Sequence, residues 1–289
     1  MRKLIYICEC NAHDKLKRKY DSFITFVNGE NEAVTPGGSY YTIVEFADYM
    51  KKVKPYGIGF AFDSQDEFDY IINLICDFIG SINLIAKHNK AFDLSLLEKC
   101  TELVSIQMYW NTKQEILWDV KKNKKLKTFE IIDYYKVSDL SDFRGSTVEY
   151  LAFYGCNGCS SFVSKMHVDD FSFVLDMPKL RELRFDIFKD EPSEYYLNIL
   201  SKLQGLKIFY TPDNFFTFQQ FAWLKSKLPN VERGLDCVFP VCDWYSIIGR
   251  RTPKTLEDPL KAEKYQKRYD NLLLKYQSQD NPPSDDEKD

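Results

Sequence analysis

The chain has 289 residues, with 39 lysine and arginine against 43 aspartate and glutamate and a formal net charge of −4. No overall positive field is present to draw nucleic acid or an anionic membrane, so neither is expected as a partner. No run of ~18 or more apolar residues occurs, so a membrane-spanning helix is not expected, and the chain is long enough to bury a sizeable core.

In chain order, the first apolar run, LIYIC, follows a basic pair and is followed by charged sequence rather than a small-residue cleavage site. It reads as a first strand, not a signal peptide. TPGGSYY carries a glycine pair that a turn explains, and no Lys-Ser/Thr step follows to make it a phosphate loop. YYTIVEFADYMKKV (40–53) has apolar residues at helical spacing, and IGFAF (58–62) has strand character. Residues 1–75 are assigned to an N-terminal α/β cap.

From there one phrase keeps returning: CTELVSIQMYWN (100–111), NKKLKTFEII (123–132), GSTVEYLAFYGC (145–156), MPKLRELRF (177–185), LQGLKIFYT (203–211) and LPNVERGLD (228–236). Each copy has an apolar anchor, usually a second apolar residue three positions on, and a third two after that. The anchors are Leu103, Leu126, Val148, Leu180, Leu206 and Val231, with a weaker copy, IGSINLIA, anchored at Ile82. On a strand, residues two apart share a side, so Ile106 and Met108 face a core while Ser105, Gln107 and Tyr109 face away. Between copies, segments such as EPSEYYLNILSKL carry Tyr196, Ile199, Leu200 and Leu203 at helical spacing. No unit of ~25 residues buries its apolar face alone, so successive units must stack.

These phrases resemble the leucine-rich repeat proteins, whose repeat runs L-x-x-L-x-L-x-x-N/C-x-L. Eight residues past the anchor, where that family keeps a ladder of asparagine or cysteine, stand Asn111, Cys156 and Asn214, but Tyr134, Phe188 and Phe239 in the other copies. The repeats are degenerate and extend over roughly 75–240. The resemblance implies an α/β solenoid with a curved parallel sheet, strands near 103–109, 126–132, 148–154, 180–186 and 206–211, and a binding scaffold rather than an enzyme. The solenoid is assigned to residues 76–250. The long interval between Val148 and Leu180 places an insertion around YGCNGCSSF. Abundant aromatics, 22 Phe and 19 Tyr, partly replace core leucine.

Residues 251–277 contain Tyr265, Tyr269, Leu272 and Tyr276 at spacings that make an amphipathic C-terminal helix. The polar, acidic, proline-bearing stretch 278–289 reads as disordered.

Candidate chemistry is sparse. Cys156 and Cys159 form a C-x-x-C followed by His167, which could begin a zinc site, but no second ligand pair follows, and Cys156 fills the repeat's own slot. The eight cysteines are scattered without a dense framework and are read as reduced thiols in a cytoplasmic protein. Only His13, His88 and His167 are present, none beside a nucleophile motif, and paired acids such as Asp169–Asp170 are ordinary at helix starts. No catalytic residue, metal or cofactor is assigned.

What remains is the surface built by outward-facing strand residues. Tyr109, Trp110, Glu130, Tyr154, Glu182, Arg184, Asp186 and Tyr210 would share one concave face, combining aromatic anchors with charges, as protein interfaces do. The acidic members favour a protein partner with a basic patch. The function expected is a non-enzymatic protein-interaction module, a toxin-neutralising immunity protein being one form of it. The alternative is an adaptor or regulatory subunit of an enzyme complex whose function lies in the N-terminal cap. From the period-two alternation Ala152 and Arg184 are expected to tolerate substitution, and Leu151 and Leu183 are not.

Overall fold

The computed structural model describes residues 4–9, 23–28, 39–42, 47–48, 50–52, 54, 56–62, 64–86, 90–155, 165–241, 244–249 and 254–285. Ten strands make the main sheet: β1 (Leu4–Glu9), β2 (Phe23–Asn28), β3 (Ser39–Thr42), β4 (Gly57–Phe62), β5 (Ser81–Ala86), β6 (Ser105–Tyr109), β7 (Thr128–Ile132), β8 (Tyr150–Tyr154), β9 (Glu182–Phe185) and β10 (Ile208–Tyr210). From β4 to β10 the strands follow one another in chain order, and all seven are parallel. β2 continues the parallel array beside β4, and β1 pairs antiparallel with both β2 and β3. The protein is therefore an α/β fold built on a parallel sheet.

The anchors explain where each strand begins. The amides of Leu103, Leu126, Leu180 and Leu206 each bond the carbonyl three residues back, closing a tight turn, and all four side chains are buried. The next residue enters the ladder: Val104, Lys127, Arg181 and Lys207 bond the carbonyls of Gly80, Val104, Glu149 and Arg181 at 2.7–2.8 Å. Strands thus start two residues after the anchor.

Register places Ile58, Ile82, Ile106, Phe129, Leu151, Leu183 and Phe209 in one row across the sheet. Phe60, Leu84, Met108, Ile131, Phe153 and Phe185 form a second row, and both rows are buried. Ile82 pairs with Ile106, not Leu103, so the anchor of the weaker copy is Ile79, also buried. Ile58 pairs in turn with Ile82, so the same pattern starts in β4, within the segment assigned to the cap.

Single turns of 3-10 helix at Ser95–Lys99, Val120–Lys122 and Ser141–Phe143, and a longer one at Phe171–Asp176, cover these rows. Phe143 meets Phe129 edge-on at 4.7 Å, and Phe173 packs on Phe153. Helix α1 (Gln65–Ile75) is capped by Ser64, which accepts from the Glu67 amide, and buries Phe68, Ile71, Ile72 and Ile75. Helix α2 (Ser193–Leu200) buries Tyr196, Ile199 and Leu200, as their spacing requires.

Two asparagines hold the turns between strands. Asn111 donates to the Lys90 carbonyl and accepts from the amides of Lys113 and Gln114. Asn123 donates to the carbonyls of Leu97 and Cys100 and accepts from the Trp118 indole at 2.7 Å. A buried amide that satisfies several backbone groups at once replaces water that cannot reach them.

Several expectations need correction. Among the described residues of 40–53, residues 47–48 and 50–52 are helical, whereas 40–42 lie in β3, paired with β1. Residues after 237 leave the parallel array: β11 (Val238–Val241), β12 (Trp244–Ile247) and β13 (Lys254–Leu256) form a separate antiparallel sheet. Ala152 points away from the core rows yet is fully buried by its neighbours on that face. The insertion around Cys156 and Cys159 lies outside the described residues, as do the side chains of Cys8 and Cys10.

Helix α3 (Phe218–Lys227) opens with a capping box, Thr217 and Gln220 bonding each other's backbone amides. Helix α4 (Pro259–Tyr276) lies against it, with Tyr269 packed on Phe218 and donating to the Leu235 carbonyl. The stretch read as disordered is held to position 285: the Trp223 indole bonds the Gln279 carbonyl at 3.0 Å, and Gln220 bonds the Pro283 carbonyl. Burial pushes the Asp285 carboxyl up, but hydrogen bonds from Ser193 and Gln220 and the charge of Lys189 outweigh it, leaving it at about 2 against an ordinary 3.8. A carboxyl depressed in the fold stabilises it above the ordinary value, and that contribution is lost as pH falls from 3.8 through about 2. Acidification through this window should release the tail and alter Trp223 emission, and Asp285→Asn should do the same at neutral pH. Emission unchanged in both experiments would show that Asp285 does not hold the tail.

Candidate interaction face

The sheet face opposite the core rows carries three parallel rows of side chains, set by strand register. The first runs Ser81, Ser105, Thr128, Tyr150, Glu182 and Ile208; the second runs Asn83, Gln107, Glu130, Ala152, Arg184 and Tyr210. The third runs Ile85, Tyr109, Ile132 and Tyr154, and Asp186 extends it through its amide bond to the Phe153 carbonyl. Tyr109, Glu130, Tyr154, Glu182, Arg184, Asp186 and Tyr210 therefore lie on one face.

Trp110 reaches solvent by another route. Strand alternation would turn it toward the core, but its φ is +61, and the left-handed turn leaves it 50% exposed beside Tyr109. Asp133 occupies the same place after β7, with φ +63. Each amide at these turns bonds the next strand, Trp110 to Ile132 and Asp133 to Tyr154. Left-handed backbone at bulky residues is uncommon, and here the sheet holds it in place.

The charges on this face are ordered. Arg184 donates to Glu182 at 2.6 Å, and its guanidinium lies over the Tyr210 ring at 4.3 Å and the Tyr150 ring at 5.6 Å. Lys165 pairs with Asp186 at 2.8 Å; Asp186 Oδ1 receives no well-angled hydrogen bond, so the ammonium is its counter-charge. Glu130 accepts from Gln107 at 2.6 Å through one oxygen and from the Tyr154 hydroxyl through the other. Burial first, and then the charge of Glu130, push the Tyr109 hydroxyl up to about 12. Burial also raises Tyr150 and Tyr154, with Glu130 adding to both shifts. These phenols stay protonated and act as donors throughout the physiological range.

At the carboxyl ends of β8 to β10 a hollow of about 550 Å³ opens, lined by Tyr154, Lys165, Arg184, Asp186, Tyr210 and Thr211 among others. It joins four of the residues expected from sequence. Lys165 was not expected, since it lies outside the repeated phrase and no local pattern marks it. His167 stands apart, stacked on Phe188 and bonded to Asp190 at 2.8 Å. Among the described residues no helix is long and apolar enough to cross a membrane.

Comparison with known families finds no matching family model, and comparison with curated proteins finds no match.

Proposed function

We propose that this protein is a leucine-rich repeat solenoid whose open sheet face binds a protein partner without catalysing a reaction. The observation that carries this is the face itself: aromatic rings and charged groups in register rows, held by neighbours on adjacent strands. Arg184 fixed between Glu182, Tyr150 and Tyr210 is one such group. Side chains immobilised before binding lose little rotamer freedom when a partner arrives, and tyrosine, tryptophan and arginine dominate binding energy at interfaces. Neutralising a toxin is one use of such a face.

Affinity capture from the native host, followed by titration of the purified partner, tests this. Trp110→Gly and Tyr210→Ala are each expected to weaken partner binding by about 2 kcal/mol or more. Glycine suits the left-handed backbone at position 110, so that variant should keep its stability within about 1 kcal/mol. Full affinity in both variants would move the site off this face, to residues 1–75 or the segment 156–162.

A further inference from the structure

We infer that the open face recognises one cationic side chain of its protein partner, seated over Glu130 and flanked by Tyr109, Tyr150 and Tyr154. This rests on the proposed protein-binding function and names what the face recognises. Of the three carboxylates expected to favour a basic partner, two are already neutralised within the chain, Glu182 by Arg184 and Asp186 by Lys165. Glu130 is different. It is 8% exposed, and its partners Gln107 and Tyr154 are both neutral. Among the described residues no lysine, arginine or histidine pairs with it.

A buried carboxylate without a counter-charge is unfavourable, and a cation delivered from outside removes that penalty. Among the described residues Gln107 donates to one Glu130 oxygen and Tyr154 to the other, and a carboxylate oxygen has capacity for a second bond. One remaining acceptor site on each oxygen fits the fork of an arginine better than the single ammonium of lysine. The surroundings suit a cation as well. Tyr109 and Tyr154 flank Ile132 in their row, on the strands either side of Glu130, and the Glu130 charge acts on Tyr109, Tyr150 and Tyr154. Tyrosine rings add cation–π attraction to the ion pair.

The probes are two capped pentapeptides, glycine on either side of a central arginine or of citrulline, its neutral isostere. Titrated against the full chain and followed by NMR or by the emission of Trp110, the arginine peptide is expected to bind at least about tenfold more tightly, the factor that 1.4 kcal/mol represents. Glu130→Gln, which keeps the size and an oxygen acceptor, should erase that preference, while Glu182→Gln and Asp186→Asn should retain it. If Glu130→Gln does not fold, Tyr109→Ala at the rim carries the same test and should reduce the preference. Equal binding of the two peptides, no saturable binding of either, or a preference that survives Glu130→Gln would overturn the inference. With the captured partner, full affinity in Glu130→Gln alongside weakened binding in Trp110→Gly would reject the Glu130 site and leave the binding face standing. Full affinity in Glu130→Gln, Trp110→Gly and Tyr210→Ala alike would reject the two together.

Discussion

Replacing Gly234 by alanine is expected to destabilise the protein by about 3 kcal/mol or more, a fall in Tm of roughly 6 °C or beyond. Gly234 sits three residues after the anchor Val231, where earlier copies have Ile106, Phe129, Leu151, Leu183 and Phe209. The chain enters the ladder there as before: Glu232 bonds the Lys207 carbonyl and Phe209 bonds the Arg233 carbonyl. Gly234 then turns with φ +95, and a Cβ on it would lie 1.4 Å from the Phe209 carbonyl oxygen. Backbone on both sides leaves no flexible atom to give way. Gly145→Ala is the control, since Gly145 also has positive φ, +73, but nothing within 4 Å of an added Cβ. That change should cost only the left-handed penalty, about 1 kcal/mol. Equal losses in the two variants, measured by denaturant unfolding, would mean that close approach to Phe209 plays no part.

Leu183→Ala should cost about 2–5 kcal/mol. Leu183 lies between Leu151 and Phe209 in the first core row and is wholly buried, so its removal leaves a cavity bounded by neighbours tied into the same ladder. Ala152→Leu, on the opposite face, should cost about 1–3 kcal/mol by overpacking, since Ala152 is as inaccessible as the core residues. Arg184→Ala belongs with neither. It removes the cation that neutralises Glu182 and the surface over Tyr150 and Tyr210, so its effect should show in binding more than in unfolding. If Leu183→Ala left stability unchanged while Arg184→Ala lowered it strongly, the strand would be out of register by one residue.

The parallel strands and their facing were legible because the anchor phrase is periodic, and period two on a strand assigns each residue to a face without further information. Leu103, Leu126, Leu180 and Leu206 marked the strand starts to within two residues, the expected strands beginning at the anchors and the observed ones two residues later, and Tyr109, Glu130, Tyr154, Arg184 and Tyr210 followed as the outward set. The amphipathic helix at 259–276 was legible for the same reason. Other features depend on contacts between residues far apart in the chain, which no local pattern encodes. The burial of Ala152 is set by neighbours on adjacent strands, and the fixing of the tail by Gln220 and Ser193. The redirection of Trp110 needs a left-handed turn bonded to β7. Above all, the sequence by itself determined that Glu130, Glu182 and Asp186 share a face. Only the tertiary structure decided that, among the described residues, two of them have cations and one does not, because Lys165 reaches Asp186 from outside the repeated phrase and Arg184 turns back onto Glu182. Charge type is written in the chain, but charge compensation is a matter of distance, and distance is set by packing.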